Sequence, residues 1–550
     1  NTIELHGNNS TGILMESGSQ LINSGTINLY GNVTNKALIT DGNSGYILPS
    51  ITNAGVINVE EKFEADGIKI NIKVDPSSVR TPTVSEISAF GYTAEDVNAK
   101  FLISYAVQFK ADSFSVSEPV TVMSDFSQGT NSTVYKLENV FNPRTSGGIN
   151  SGMLSVLSES LTWNAIPNIN SQGNVDIWMQ KLDYTEFSAG KWYYDFAEVL
   201  DSKYEDASGN ALKIYDKIDK ITKEKDFDRI MESLGGNIYS NINQREEDIA
   251  EIFDNSLALL QNSSNNTKEN VKINIITGAG KTGEKADGVP SYDYESVGVL
   301  ALREVERTYR HTFGYSLGYL HTNFDFDDGS SSKEEADTLQ AGIHNKYTVN
   351  DWKFINNLTG RATLHNTDRN IDWTDSSGRS EMNGTYETYS ITIDNIAGRE
   401  FQINKNISVM PYGALAGMYV TRPSFEESGL EALEVKSNDA WSVKPRAGME
   451  LKASVPLGTN ESWKLKGNLD LFYEYELADL NKRESAKLLA VEENYHKLAK
   501  PDENKGRIAA RAAIGVEMND RYGIFLTGAY SADGSEKEDY RAGVDLKIVF

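Results

Sequence analysis

Long segments in the C-terminal half of the chain alternate apolar and polar residues. In 463–477, one face carries Trp, Leu, Gly and Tyr, and the other carries mainly Lys, Asn, Asp and Glu. Alternation with period two predicts a β-strand that has one apolar face. Strands of soluble domains average about 5–6 residues, whereas strands tilted across a bilayer need about 9–11. The length of these segments therefore favours a membrane β-barrel over a soluble sandwich.

Twelve such segments follow one another, an even number, as expected of a bacterial barrel. They lie near 271–280, 291–303, 308–322, 337–349, 351–366, 384–397, 405–422, 441–455, 462–477, 504–519, 521–532 and 537–550. Tight joins at Asn350-Asp351 and Asn519-Asp520 alternate with long polar joins such as 478–503, for which we expect a partly helical structure at Lys487–Val491. Short turns on one side and long loops on the other are typical of such barrels.

The alternation also assigns side chains to the lumen. The polar faces of two strands predict lumen-facing residues at Lys464, Lys466, Asp470, Glu474 and Arg511. Charges on this face suit a wet lumen, and aromatic residues near several strand ends match the girdles at membrane interfaces.

The middle of the chain, 189–265, changes to apolar spacings of three and four residues, which predicts helices. The segment 226–261 has a narrow apolar stripe and an extensive polar surface, which suits a helix in a polar, partly wet environment. Gly235-Gly236 predicts a kink or break within it. The alternative is an ordinary amphipathic helix packed on a soluble domain.

A repeat marks the N-terminal segment, 1–75. The stretches 23–31 and 53–59 share Asn-x-Gly-x-Ile-Asn followed by an apolar residue, and 2–7 is similar. Turn residues followed by short alternations predict coils of a parallel β-helix, with two unrelated hairpins as the alternative. Residues 76–188 stay strand-like without the repeat, as expected of a cap on the open end of a solenoid.

Composition narrows the classes of function. A net charge of -26 argues against nucleic-acid partners, which need clustered Lys and Arg. Without cysteine the chain has no disulfide, no Cys-ligated zinc and no thiol nucleophile. A mean hydropathy of -0.45 is typical of a soluble chain. That inference does not extend to barrels, because only every second residue faces lipid.

Three short strings resemble catalytic or ligand-binding motifs. Gly314-Tyr-Ser316-Leu-Gly318 matches a nucleophile elbow, but Ser316 lies within strict strand alternation. Gly278–Thr282 lacks the first glycine of a P-loop, and Asp325–Gly329 departs from the EF-hand spacing, which leaves at most a loose cation site there. We therefore predict no catalytic, cofactor or metal residues, and no enzyme.

The order of these parts resembles a type Va autotransporter, and the solenoid and 234–249 look most like large fusobacterial autotransporter adhesins. The last strand looks like the signal by which outer-membrane barrels are recognised for insertion, carried here by Arg541, Gly543, Leu546, Ile548 and Phe550. The chain opens inside a repeat, without an initiator Met or signal peptide, so we expect a fragment of a larger protein.

The resemblance implies a mainly β fold: the end of a right-handed parallel β-helix passenger (1–75), a β-rich cap similar in place to an autochaperone region (76–188), a helical linker (189–265), and a 12-stranded antiparallel transmembrane barrel (266–550). It further implies that 226–261 threads the lumen. Around Trp163 and Trp178 the cap would nucleate passenger folding. The absence of cysteine suits a chain that crosses an oxidising periplasm unfolded.

The implied function is outer-membrane export and anchoring of a surface passenger that adheres to host or other bacterial cells. The implied partners are outer-membrane lipid, the barrel-assembly machinery, and a cell-surface ligand. Asn265-Asn266 resembles the junction of self-cleaving members, but it lies in a polar stretch, so we expect no cleavage. The alternatives are an outer-membrane porin or receptor with an extra β-domain, which an open channel would favour, and a secreted β-helix enzyme acting on polysaccharide.

Overall fold

The computed structural model describes residues 2–5, 13–15, 18–30, 38–40, 48–74, 78–83, 85–86, 101–124, 131–149, 154–262, 269–282, 286–373, 378–458, 462–501, 505–533 and 538–549. The chain divides into two compact units, one built mainly from residues before 229 and the other mainly from residues after 228.

Short strands that stack in parallel dominate the first unit. They are β1 Thr2–Leu5, β2 Ile13–Met15, β3 Gln20–Asn23, β4 Thr26–Leu29, β5 Leu38–Thr40, β6 Ser50–Asn53, β7 Val56–Val59, β8 Lys62–Ala65, β9 Lys69–Ile72, β10 Phe101–Ser104, β11 Gln108–Ala111, β12 Ser113–Val116, β13 Val120–Val122, β14 Val134–Pro143, β15 Val156–Ser158, β16 Trp163–Ile169 and β17 Val175–Lys181. Parallel ladders run through β1-β4-β7-β11-β14 and β3-β6-β9-β13-β15, and β2-β5 and β8-β12 form further parallel pairs. This pairing is the one expected of stacked β-helix coils, while the right-handed twist stays a prediction.

The repeated motif forms a corner in two successive coils. Nδ2 of Asn23 donates to Oδ1 of Asn53 at 2.8 Å, and both asparagines are buried. Each asparagine also accepts the backbone N–H of the glycine two residues later, at 3.1 Å. A Cβ on Gly55 would overlap the carbonyl oxygen of Gly25, so the close approach of the two coils requires glycine. After the corner, Ile27 stacks on Ile57 in the buried core.

The cap replaces parallel by antiparallel pairing. Strand β14 pairs with β17, and β17 pairs with β16, both in antiparallel register. Trp163 is buried and its ring lies 5.2 Å from that of Tyr135, whereas Trp178 is half-buried and lies 5.3 Å from Nζ of Lys136. The cap is therefore well packed, while its role in passenger folding stays a prediction.

Four α-helices follow within the described residues: Tyr194–Lys203, Gly209–Ile218, Glu224–Gly235 and Ile242–Asn262. Two 3-10 turns accompany them, Tyr184–Glu186 and Asn237–Tyr239. Gly236 has a φ of 87°, a left-handed conformation that ends the third helix where the glycine pair predicts a break. None of the described helices is long and apolar enough to cross a membrane.

The second unit contains a closed antiparallel barrel. Its twelve long strands in the described residues are β18 Glu269–Thr282, β19 Ser291–Thr308, β20 His311–Asp327, β21 Lys333–Val349, β22 Trp352–Asp372, β23 Arg379–Arg399, β25 Ile407–Arg422, β28 Asn438–Leu457, β29 Trp463–Tyr475, β32 Gly506–Met518, β33 Tyr522–Asp533 and β34 Glu538–Val549. Shorter strands are β24 Phe401–Asn404, β26 Phe425–Ser428, β27 Leu433–Val435, β30 Ser485–Leu488 and β31 His496–Lys497. The first and last long strands pair, with Asn270 opposite Val549. The predicted twelve-stranded barrel is confirmed, and every predicted segment overlaps one long strand.

The barrel wall follows the predicted alternation. On β23, Tyr389, Ile391 and Ile393 are exposed on the outer face, while Ser390 and Thr392 between them are buried. An apolar outer surface above a polar interior is the arrangement that lipid outside and a wet lumen require.

Tight turns join strands at one end of the barrel. Asn350 and Asp351 have φ values of 48° and 68°, and Asn519 and Asp520 have 54° and 55°. Positive φ at both central residues is the mark of a type I′ hairpin, whose twist matches that of the strands. The longer joins lie at the other end, so by the rule for such barrels the tight turns are periplasmic and the long loops extracellular.

The prediction of a partly helical structure in the long loop 478–503 is wrong. Ala486 and Leu488 lie on β30, both buried, and Leu488 pairs with Leu433 of β27. The loop also reaches the break between the helices, since Nε2 of His496 lies 2.9 Å from the carbonyl oxygen of Gly235. Pairing with another loop therefore overrides the local helix propensity of 487–491.

Candidate functional site in the barrel lumen

Strands β29 and β32 hold the residues predicted to face the lumen. Lys464, Lys466, Asp470 and Glu474 lie on the face of β29 opposite its exposed apolar residues and are half-buried or buried. Asp470 pairs in register with Arg511 of β32, whose Nη1 lies 3.3 Å from Oδ2 of the aspartate. The structure therefore places these side chains on the polar face of the wall.

These five residues do not form a single cluster. Lys464 pairs with Asp520 at 2.8 Å and Lys466 pairs with Glu517, both close to the tight turns. Glu474, by contrast, pairs with Arg507 further along the wall. Strand alternation assigns a side chain to the lumen but does not assign it a partner.

The helix Ile242–Asn262, hereafter the lumen helix, lies inside this wall. Most of its side chains are buried, including the fully buried Arg245, Glu246 and Asp248. Burying charges is costly unless they are paired and hydrogen-bonded. The wall supplies those partners in three places along the helix.

The first place is the arginine–histidine cluster, which consists of Arg245, Glu246, Glu334 and His365. Arg245 donates two hydrogen bonds to the carboxylate of Glu334, from Nε at 3.0 Å and from Nη2 at 3.1 Å. Tyr386 donates its hydroxyl to the same carboxylate at 2.6 Å. A bidentate arginine–carboxylate pair fixes orientation as well as distance.

His365 joins the two carboxylates of this cluster. Its Nδ1 lies 3.0 Å from Oε1 of Glu334, and its Nε2 lies 3.2 Å from Oε1 of Glu246. Thr388 donates to that same oxygen of Glu246 at 2.5 Å, and the ring of Tyr386 stacks on the imidazole at 4.4 Å. All four cluster residues are fully or almost fully buried, so one buried network connects the lumen helix to β21, β22 and β23.

The second place is the acidic stripe, which consists of Glu247, Glu251 and Asp254. Each of these carboxylates meets a cation of the wall, and the pairs are Glu247 with Lys444, Glu251 with Arg507, and Asp254 with Arg361. A cavity of about 80 Å³ runs beside the stripe and is lined by polar and apolar residues. The stripe is therefore held in a wetter setting than the arginine–histidine cluster.

The third place is the C-terminal end of the lumen helix. Lys272 donates from Nζ to the carbonyl oxygen of Leu260 at 2.7 Å, and Lys346 donates to that of Gln261 at 3.1 Å. The last carbonyls of a helix lack intrahelical partners and carry partial negative charge. The two lysines satisfy both needs, so they fix the polarity of the helix in the lumen.

Sequence reasoning missed the partners in the first and third places. Glu334, His365, Lys272 and Lys346 all occupy inward positions of strands that the alternation predicts correctly. Extending the inward assignment from β29 and β32 to every strand would have found them. The position of the lumen helix along the barrel axis decides which residues pair, and no short segment of the sequence indicates that position.

Ser316, from the string resembling a nucleophile elbow, faces the lumen from the middle of β20. Its Oγ lies 2.8 Å from Nε2 of His344, whose Nδ1 lies 3.0 Å from Oδ1 of Asn357. Asn357 is bonded in turn to Gln261 of the lumen helix at 2.8 Å. The setting is a strand wall rather than a strand–turn–helix elbow, and these contacts connect the wall to the helix end.

The predicted insertion signal lies on β34. Arg541 is buried on the inner face, Gly543 is half-buried, and Leu546 and Ile548 are exposed on the outer face. The terminal Phe550 lies outside the described residues, as do Asn265 and Asn266. The described part of the signal is therefore an ordinary wall strand that pairs with β18 to close the barrel.

A closed barrel with an apolar exterior and a lumen filled by its own helix defines an outer-membrane translocator that holds its linker. The comparisons agree. Residues 271–529 match the family model of the autotransporter beta-domain, and residues 96–183 match that of the BigA beta sandwich domain. Residues 271–529 are thus similar to an autotransporter beta-domain, which places the barrel in the outer membrane and the passenger that it carries at the cell surface.

A curated relative and several solved structures are similar to this chain. BigA of Salmonella typhimurium, whose name describes a surface-exposed virulence protein, is 21% identical over 373 residues, a match covering 66% of this chain and 18% of BigA. The chain thus spans less than a fifth of that relative. The translocator domain of NalP from Neisseria meningitidis is 13% identical and matches 56% of this chain and 98% of its own, with a TM-score of 0.44. The transport unit of AIDA-I from Escherichia coli is 11% identical, with 55% and 99% coverage and a TM-score of 0.40.

Proposed function

We propose that the chain exports and anchors a β-solenoid passenger that attaches the cell to host or other bacterial cells. The observation that carries the proposal is the lumen helix, because it fills the barrel and is covalently continuous with the coils. A filled lumen favours a translocator over a porin or receptor. Stacked coils present an extended regular surface, which suits adhesion.

We also propose that the passenger acts by binding, without catalysis, and stays attached to its barrel. Contacts at three places along the lumen helix support retention of the linker. The expected absence of cleavage at Asn265-Asn266 stays part of this proposal. Insertion through the barrel-assembly machinery, directed by the C-terminal strand, completes it.

Surface display and adherence test the proposal together. Bacteria expressing the chain behind a signal peptide are treated with an external protease, and their adherence to host-cell monolayers and to other bacteria is counted before and after. We expect the protease to remove the passenger and the adherence, while the barrel stays in the outer membrane. An inaccessible passenger would contradict export, and an accessible passenger without adherence would contradict the adhesive role.

A further inference from the structure

We propose that the arginine–histidine cluster is a register stop, which fixes the one height at which the linker comes to rest in the barrel. The inference rests on the proposed function, in which the linker moves outward through the lumen before it stops. It assigns different tasks to the two charged regions of the lumen helix.

The arginine–histidine cluster accepts one register only. If the helix stood one turn further out, each residue would take the place of the residue four positions before it. Ile249 and Ala250 would then lie where Arg245 and Glu246 now lie. The buried carboxylate of Glu334 would then face an aliphatic chain. Removing one partner of a buried ion pair lowers the population of a state by about a hundredfold or more.

Displacement in the opposite direction fails as well. One turn further in, Asn241 and Ile242 would take the places of Arg245 and Glu246. A neutral amide cannot supply the two parallel hydrogen bonds and the positive charge of a guanidinium. The cluster therefore opposes movement of the helix in both directions.

The acidic stripe, by contrast, tolerates displacement. Its three carboxylates follow one another at spacings of four and three residues, so they lie near one face of the helix. Moving the helix outward by one turn brings Glu251 to the height that Glu247 held beside Lys444. It also brings Asp254 towards the height of Glu251 beside Arg507. After this shift Lys444 and Arg507 still face a carboxylate, while Arg361 loses Asp254 but keeps its hydrogen bonds to Gln340 and Thr392.

These two regions together describe how the movement ends. While the helix moves, cations of the barrel wall pair with the carboxylates of the acidic stripe. The cavity beside the stripe leaves room for water. The movement stops when Arg245 meets Glu334 and Glu246 meets His365. Two helix residues, Arg245 and Glu246, thus set the resting register. Moving this pair to other positions of the helix should therefore change the height at which the helix stops.

Cysteine cross-linking can read the register directly, because the chain contains no cysteine. A Cβ on Gly278 would lie 3.2 Å from Cδ1 of Ile252. Gly278→Cys with Ile252→Cys is therefore the resting pair. Gly278→Cys with Ser256→Cys, one helical turn later, is the outward pair. Disulfide formation under mild oxidation is measured for each pair in outer membranes, on barrels shown to be folded by heat-modifiable gel mobility.

The decisive variant exchanges two dipeptides without changing composition. It carries Arg245→Ile, Glu246→Ala, Ile249→Arg and Ala250→Glu. We expect the disulfide to move from the resting pair to the outward pair, because the transplanted arginine and glutamate reach Glu334 and His365 only after a shift of one turn. A folded barrel that still cross-links through the resting pair, or through neither pair, would overturn the proposal.

Single substitutions test the proposal if the variant with four substitutions does not fold. Arg245→Met leaves the barrel wall intact, and we expect it to reduce cross-linking of the resting pair by about tenfold. Glu247→Gln, which removes one charge from the acidic stripe, is the matched control and should keep the resting pair. Equal loss in both variants would refute a specific stop. Passenger accessibility to protease is scored in parallel, so a failure of export is distinguished from a failure of the register.

Discussion

Arg541 on the last barrel strand donates a hydrogen bond from Nη2 to Oδ1 of Asn274 on the first barrel strand, at 2.6 Å. The amide of Asn274 donates in turn to Asp545 on the last strand. One neutral side chain thus connects two buried ionisable residues across the seam where the barrel closes. Side-chain hydrogen bonds as well as backbone pairing therefore connect the last strand, β34, to the first strand, β18.

Replacing Asn274 should weaken that seam. Asn274→Leu keeps the number of side-chain heavy atoms but removes the hydrogen bonds, and leaving buried partners unsatisfied costs about 1–3 kcal/mol. We expect a lower urea midpoint for the barrel, followed by heat-modifiable gel mobility. Asn366→Leu, at an exposed site on the outer face of β22, is the control and should change little. Equal midpoints for the two variants would contradict the role of the seam.

Gly543 should be intolerant of any side chain. A Cβ there would lie 2.8 Å from the carbonyl oxygen of Ile275 and 2.9 Å from Oγ1 of Thr527. We expect Gly543→Ala to slow barrel assembly, measured as folded barrel formed over time in pulse-chase samples. Gly528→Ala on β33, where the nearest atom is 3.4 Å away, is the matched control. Identical assembly rates would show that the glycine of the insertion signal is not required by close packing.

The terminal aromatic residue carries a prediction that comes from the sequence. Deleting Phe550 should reduce the amount of barrel in the outer membrane, because the residue resembles the end of an insertion signal. Quantitative blotting of membrane fractions measures the effect, with Phe550→Tyr as the conservative control. Unchanged outer-membrane levels after the deletion would remove Phe550 from the proposed signal.

The buried hydrogen-bonded pair of Asn23 and Asn53 should contribute much of the stability of the coils. Asn53 is fully buried, bonds to Asn23, and donates to the carbonyl oxygen of Gln108 at 3.3 Å. Asn53→Ala leaves these groups unsatisfied, so we expect a loss of about 1–3 kcal/mol in the unfolding free energy of the solenoid. Asn58→Ala, on the outer face of β7, should cost much less. Hydrogen exchange of peptides from 48–74 compares the two variants.

Alkaline pH should destabilise the first unit through two buried tyrosines. Tyr184 and Tyr204 both donate to Asp219, at 3.0 and 2.5 Å. Burial, reinforced by the negative charge of Asp219, raises the pKa of Tyr184 and of Tyr204 well above the usual range. The folded state therefore keeps protons that the unfolded state releases above about pH 10.

The sign of the effect follows from proton binding. Where the unfolded state holds fewer protons, stability falls as pH rises, by about 1.4 kcal/mol per pH unit for each tyrosine. We expect faster hydrogen exchange of peptides from 175–220 above pH 10, and a shallower dependence in Tyr184→Phe. Tyr194→Phe, which alters an exposed phenol, should keep the original slope. A slope that is the same in all three proteins would contradict this explanation.

Local patterns predicted the wall and the break between the helices. Period-two alternation is a property of each strand, so the inward placement of Lys464 or Arg511 needs no knowledge of other strands. Gly236 ends its helix because of its own backbone freedom. The misassigned segment 487–491 shows the limit of such reasoning, since contact with Leu433 from a distant loop outweighs helix propensity.

The pairs inside the lumen could not be predicted in the same way. Arg245 and Glu334 are 89 residues apart, and Glu246 and His365 are 119 residues apart. Their meeting depends on the stagger of the strands and on the height of the lumen helix, which no short segment of sequence encodes. The repeat of Asn23 and Asn53 was visible as a motif, but its role as a buried ladder emerged only from the stacking of the coils.

The filling of the lumen has a consequence for the cell that carries this protein. Beside the acidic stripe a cavity of about 80 Å³ remains, and a larger pocket of about 380 Å³ lies beside Leu259 and Asn262 at the end of the helix. At the height of the stripe, the helix and its ion pairs leave a solute a narrower path than an empty twelve-stranded barrel would. The side chains that hold the linker in place therefore also narrow the route through the outer membrane.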